Sequence, residues 1–258
     1  MDRRDFLKTS SVASLILLPK IPIEYEVREY SNKIEYYLNG VLHREDGPAI
    51  FCINGDKSWY LNGKLHREDG PAIESINGDK FWYLNGVLHR EDGPAIETNS
   101  YKSWYLNGVL HREDGPAIER INGDKSWYLN GVVHREDGPA IERINGDKKW
   151  YLNGKLHRED GPAFDTDSYK SWCLNGKLHR KNGPATECIN GDKKWYLNGV
   201  LHREDGPAVE CINGDKEWYL NGKLHREDGP AIEYKSGINE YYLNGIQQYK
   251  VKFIRKFV

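Results

Sequence analysis

The chain has 258 residues, with 37 basic and 39 acidic side chains and a formal net charge of −2. Hydrophobic residues make up 38% of it and mean hydropathy is −0.79. That is little apolar material for an ordinary globular core, and the balanced charge excludes the basic stripe of a nucleic-acid binder; 8 Trp, 17 Tyr and 26 Gly exclude a disordered chain, which would be poor in aromatics.

Residues 1–22 stand apart from the rest. The segment opens MDRRDFLKTSSVASLILLPK. Its Arg3-Arg4 pair followed by Phe6-Leu7-Lys8 resembles the twin-arginine export signal. The apolar run from Val12 to Leu18 is too short to span a bilayer, which takes about 20 residues, and suits the apolar region of a signal. The resemblance implies a protein exported to the periplasm, the membrane surface or the outside. The alternative is a frayed or amphipathic N-terminus on a cytoplasmic protein.

From residue 23 to residue 248 one unit recurs. A representative copy, Ile53 to Glu74, reads INGDKSWYLNGKLHREDGPAIE. All nine histidines fall in its His-Arg pair, at His43, His66, His89, His111, His134, His157, His179, His202 and His225, spaced 23, 23, 22, 23, 23, 22, 23 and 23 residues apart. The two short copies lose one residue at one place: INGDK becomes TNSYK before Trp104 and TDSYK before Trp172. A deletion confined to one site marks a surface turn.

Within a copy, two Asn-Gly pairs such as Asn54-Gly55 and Asn62-Gly63 predict type I′ hairpin corners, where both residues take φ > 0. The six residues Asp56 to Leu61 between them read as one short aromatic strand. Arg67 to Pro71 is a bend, because Pro71 lacks a backbone donor and Asp69-Gly70 favours a turn. Ala72 to Ile76 is the second strand, and Lys64 to His66 is a short third. No stretch shows capped helical periodicity. The expected fold is all-β: an elongated, strongly twisted array of antiparallel hairpins with about two strands per copy. Some 18 strands at ~4.8 Å each give a length of about 85–90 Å. Tyr36-Tyr37 and Tyr241-Tyr242 replace Trp-Tyr in the end copies. Residues 23–35 and the tail 249–258, with Tyr249, Val251 and Phe253 on one face and Lys250 and Lys252 on the other, are expected to cap the sheet edges.

The period, the aromatic strand, the Asn-Gly-Lys-x-His run and the later Asn-Gly-Asp resemble MORN repeats over about residues 30–248. The form with Leu-His-Arg-Glu-Asp-Gly-Pro-Ala is similar to a divergent bacterial and viral branch. The resemblance implies a hairpin solenoid serving as a scaffold, or as a protein- or lipid-binding platform. The segment after the histidine departs from the family pattern, which has His-Gly-x-Gly.

The histidines are candidate metal ligands or structural anchors. Neighbouring imidazoles at a two-strand repeat lie about 10 Å apart, too far to share a zinc ion, so each is expected to anchor its loop by a hydrogen bond or to pack under the next copy's aromatic. Nine near-equal environments also argue against acid–base catalysis, which needs groups tuned apart. No cofactor motif is present. Arg67 and its equivalents could form a surface charge ladder against residues such as Glu91 of the next copy. Cys188 and Cys211 share a column at a separation that a disulfide cannot bridge, so Cys52, Cys173, Cys188 and Cys211 are expected to be free thiols.

The tryptophan column, Trp59, Trp82, Trp104, Trp127, Trp150, Trp172, Trp195 and Trp218, is expected to stack as a hydrophobic spine; the alternative is an exposed aromatic platform for sugar rings. The residue before each Trp varies between copies (Ser58, Phe81, Ser103, Ser126, Lys149, Lys194 and Glu217 among them), which suggests a solvent-facing column. The position after Ala-Ile-Glu is equally free and includes Arg120 and Arg143. These two columns are the candidate partner surface. The expected function is a non-enzymatic interaction scaffold with a protein partner, or a lipid. An exported module binding a glycan or cell wall through the aromatic column is the second possibility.

Overall fold

The computed structural model describes residues 23–249. The signal residues Arg3, Arg4, Phe6, Leu7 and Lys8 lie outside that range, as do Val251 and Phe253 of the tail. The described residues are all-β, with a single 22-stranded antiparallel sheet and eight separate two-stranded hairpins.

The sheet grows by two strands per copy, as the sequence predicts. Lys57–Ser58 pairs with Ile50–Cys52 on one side and Ile73–Glu74 on the other, in the register Lys57↔Glu74 and Ser58↔Ile73. Ile73–Glu74 then pairs with Lys80–Phe81 of the next copy. Since side chains alternate across a sheet, Ser58 and Ile73 share one face and Lys57 and Glu74 the other.

The six-residue aromatic strand is not continuous. Lys57–Ser58 and Tyr60–Leu61 are separate strands with Trp59 between them. Trp59 divides its backbone bonds between two neighbours: its N–H donates to Ala72 O at 2.8 Å, and its carbonyl accepts from His66 N–H at 3.1 Å. The chain leaves the sheet at that residue. Tyr60–Leu61 then folds back through Asn62-Gly63 onto Lys64–Leu65 as a side hairpin. Only the end copies keep the strand whole, as Lys33–Leu38 and Asn239–Leu243: at the start an added strand, Glu26–Glu29, pairs along Ile34–Tyr37, and at the finish the corner's own return strand, Ile246–Gln248, pairs one residue further back, to Tyr241. The first of these is a charged, fully exposed strand, the kind that blunts a sheet edge.

The two Asn-Gly pairs also differ from each other. Asn62 and Gly63 have φ of 52° and 76°, the double-positive signature of a type I′ turn, and ten Asn residues repeat it from Asn39 to Asn244. In the other corner only the glycine is positive, as at Gly55 with φ of 99°. There Ser75 N–H donates to Asp79 O and Gly78 N–H to Ser75 O, both at 2.9 Å. This is a three-residue loop ending in a glycine bulge. Its Asn contributes by side chain, Asn54 Oδ1 accepting Asp56 N–H at 3.1 Å. In the short copies the loop closes one residue sooner, Thr98 N–H reaching Tyr101 O at 3.0 Å with the Thr98 hydroxyl accepting Tyr101 N–H.

The core is thin. The alanine after each Gly-Pro, from Ala49 to Ala231, is 0% exposed in all nine copies, and no large side chain among the described residues is fully buried. Copies are joined instead by backbone bonds that repeat down the array. Gly63 N–H donates to Leu42 O of the preceding copy at 2.8 Å, and Arg44 N–H donates to Tyr60 O of the following copy at 3.0 Å. Such nearest-neighbour joints make stability a sum over copies.

Candidate functional site

The histidine is part of the joint. Asn62 N–H donates to His43 Nδ1 at 3.1 Å, and Asn62 Oδ1 lies 3.0 Å from the same nitrogen. The backbone contact recurs from His66–Asn85 through His225–Asn244, once for each of the nine histidines. Each imidazole thus clamps the next copy's type I′ corner. Among the described residues, no three His, Cys, Asp or Glu side chains converge as a metal site would require.

Each arginine of the His-Arg pair organises its own loop. Arg67 lies 4.0 Å above the Trp59 ring, gives Nε to Asp69 at 2.8 Å, and gives Nη1 to both Glu74 and the Pro71 carbonyl at 2.9 and 3.3 Å. Stacking on indole plus two carboxylates is a use to which lysine is poorly suited. The expected ladder from Arg67 to Glu91 does not form, since Arg67 is taken up inside its own copy. Glu91 instead stands 3.7 Å from His89 Nε2. The hydrogen bond from Arg67 holds Asp69 below the usual carboxylate range, and the equivalent arginines do the same for Asp92, Asp114 and Asp137. In one copy Lys181-Asn182 replaces Glu-Asp. Arg180 there keeps Trp172 at 3.8 Å, Pro184 O at 3.0 Å and Glu187 at 2.9 Å without the aspartate.

Between successive loops lies a cleft. The one between Arg90 and Asp114 has a volume near 700 Å³, with Trp104 and Leu106 among its lining residues and Glu91, Asp92, Glu113 and Asp114 contributing acidic walls. Equivalent clefts recur along the array, including one near 640 Å³ at Trp127 and one near 730 Å³ at Trp195. The tryptophans are half-buried throughout. They do not stack into a spine: each ring's close neighbour is its own copy's guanidinium, because adjacent indoles are separated by the width of two strands.

The column before Trp is not uniformly solvent-facing. Ser103 and Ser126 are 3% and 7% exposed, Ser58, Phe81, Lys149 and Glu217 are half-buried, and Lys194 is exposed. This column faces its cross-strand isoleucine, as Ser126 faces Ile118 and Ile141. A short side chain is covered there, while a lysine stem is long enough to reach water. Tyr219, next in chain to Trp218, is pushed up to about 12, first by burial and then by its hydrogen bond to Glu217. In the column after Ala-Ile-Glu, Arg120 and Arg143 are exposed, and Arg143 reaches back to Asp124 at 3.0 Å. All four cysteines are free; Cys173, in the place of a tyrosine, is buried, and burial raises its thiol pKa.

One feature escaped the sequence reading. The isoleucine that opens each three-residue loop is exposed: Ile53, Ile76, Ile121, Ile144, Ile189 and Ile212 range from 69% to 83%. Their backbones are held, as when Asp56 Oδ1 accepts Ile76 N–H at 2.8 Å. That contact is what first lowers the Asp56 pKa. The side chains project from one edge of the sheet in pairs, because both short copies lack this residue. The signal was present in the sequence as an apolar residue at the mouth of a turn, where burial has no strand to rely on.

Comparison with known proteins finds no family model and no curated protein that matches the chain.

Proposed function

We propose that the protein is a non-enzymatic interaction scaffold that docks a protein partner along its extended β surface. The carrying observation is the row of exposed isoleucines. Isolated exposed apolar side chains are ordinary, but a repeated row of a residue type that is usually buried marks a contact surface. The exposed Arg120 and Arg143, next in chain to Ile121 and Ile144, extend that row, and the repeating clefts offer a second one. The histidines and the loop arginines recur in near-equal surroundings, each histidine on the next copy's corner and each arginine on its own copy's aromatic ring, which suits a scaffold better than a catalyst. The resemblance to MORN arrays supports the reading, and the twin-arginine-like residues 1–22 support an exported location for it.

The test is affinity capture with an immobilised array lacking residues 1–22, in parallel with a variant carrying Ile121→Ser, Ile144→Ser, Arg120→Glu and Arg143→Glu. The reading expects at least one protein retained by the first and lost from the second. Equal retention by both, or none by either, removes it. Glycan binding is the second reading, supported by the half-exposed tryptophans that line the clefts. Cell-wall sugars would then quench indole fluorescence, and an unchanged spectrum at saturating sugar would exclude them.

A further inference from the structure

The chain contains 17 Asn-Gly pairs. In this dipeptide the asparagine side-chain carbonyl carbon lies within reach of the next residue's N–H, and glycine offers no side chain to obstruct the approach. Fifteen of the pairs are restrained. Nine type I′ corners give their glycine N–H to the preceding copy, as Gly131 does to Leu110 O at 2.7 Å, and six three-residue loops give theirs to the residue three positions back, as Gly123 does to Arg120 O at 2.9 Å. Their asparagines are held as well, by the histidine clamp or by the aspartate two residues on.

Two pairs differ. Gly40 belongs to the first corner, which has no preceding copy to supply a carbonyl or an imidazole. Gly183, with φ of 130°, follows the asparagine that stands where eight other copies have an arginine-bonded aspartate. Among the described residues neither glycine N–H has a hydrogen-bond partner, and neither do the side chains of Asn39 and Asn182. Both asparagines are exposed.

We propose that Asn39 and Asn182 are spontaneous deamidation sites, and that the array's own hydrogen bonds protect the other fifteen Asn-Gly pairs. The glycine nitrogen attacks Cγ and forms a C–N bond while the Cγ–Nδ2 bond breaks. The glycine's proton leaves with the departing nitrogen as ammonia, and a cyclic imide remains. Water then opens the imide. Cleavage at the side-chain carbonyl gives aspartate; cleavage at the main-chain carbonyl gives an isoaspartyl link with one extra backbone carbon. No oxidant or cofactor is required. The two sites differ in consequence. Aspartate at position 182 restores the pattern of the other copies and gives Arg180 Nε the carboxylate that its equivalents hold at 2.7–2.8 Å. An isoaspartyl link at either site lengthens a tight turn.

The full chain is incubated in warm, mildly alkaline buffer, with an unfolded sample in denaturant alongside, and both are followed by peptide mapping. In the folded chain positions 39 and 182 should convert at least about fivefold faster than any other pair, the rate counterpart of one hydrogen bond that the others must first break. In denaturant all 17 should convert at similar rates. Uniform conversion in the folded chain, faster conversion at Asn122 or Asn130, or no conversion at 39 and 182 while the denatured sample reacts, would each overturn the proposal. An Asn182→Asp chain should unfold at or above the parent's temperature; a clear fall would refute the restored arginine pairing.

Discussion

Asn122-Gly123 and Asn130-Gly131 are the same dipeptide eight residues apart in one copy, yet they fold differently. At the second, both residues have positive φ and both N–H groups are taken by the preceding copy, through His111 Nδ1 and Leu110 O. At the first, only Gly123 is positive and the loop closes on itself, with help from Asp124. One corner is therefore part of the joint between copies, and the other is a local loop. That explains why the short copies lose a residue from the loop and none from the corner.

The sharpest way to break this contrast is deletion. Removing Gly131 should undo three bonds at once: those of Gly131 and Asn130 to the preceding copy, and that of Arg112 N–H to Tyr128 O. The cost is about 3 kcal/mol at roughly 1 kcal/mol per bond, visible as loss of hydrogen-exchange protection in the flanking copies. Replacing Ile121–Asp124 with the shorter form found before Tyr101 gives up the bond from Ile144 N–H to Asp124 but none of the corner's, and should cost less, about 1 kcal/mol.

Next in size, Asn130→Ala places an alanine at φ of 52°, where a left-handed residue costs about 1–2 kcal/mol. Asn122→Ala gives up only a side-chain bond at a surface loop and should cost about half as much in denaturant unfolding. Of similar size, His111→Ala removes one clamp, worth about 1 kcal/mol, and should speed exchange at Asn130 N–H while leaving Gly123 N–H unchanged.

Acid should separate the two corners most finely. The loop relies on Asp124, whose carboxylate pKa is lowered first by its bond from Ile144 N–H. A lowered folded pKa means that the stabilisation is present above the unfolded aspartate value of about 3.9 and is lost as pH falls through the folded value. Protection at Ile144 N–H should therefore decline below about pH 4 before that at Gly131 N–H. Asp137 shifts in the same direction, first through its hydrogen bond from Arg135, so the clefts should loosen over the same range.

Much of this was legible in the sequence because repeats report themselves. Period, strand number, free thiols and anchored histidines all follow from spacing. Four details did not. Trp59 ends a strand because Ala72 and His66 divide its backbone bonds, a fact about partners rather than propensity. Asn54-Gly55 looks like a type I′ corner because that signal is local, whereas loop length is decided by the strands it must join. Ser103 and Ser126 looked exposed because their column varies, but the variation means only that the site sits at a rim where a hydroxyl is covered and a lysine can escape. The exposed isoleucines escaped notice because hydrophobicity by itself does not say which side of a turn a residue occupies.

The identical joints have one more consequence. Each carries the same bonds in the same sense, so a whole copy can be inserted or removed without disturbing any other, and each adds two strand spacings, about 9.6 Å. The array thus has a uniform step and a direction. Its reach is set by copy count alone, and its opening end, where the Gly40 N–H finds no acceptor among the described residues, differs chemically from every later junction.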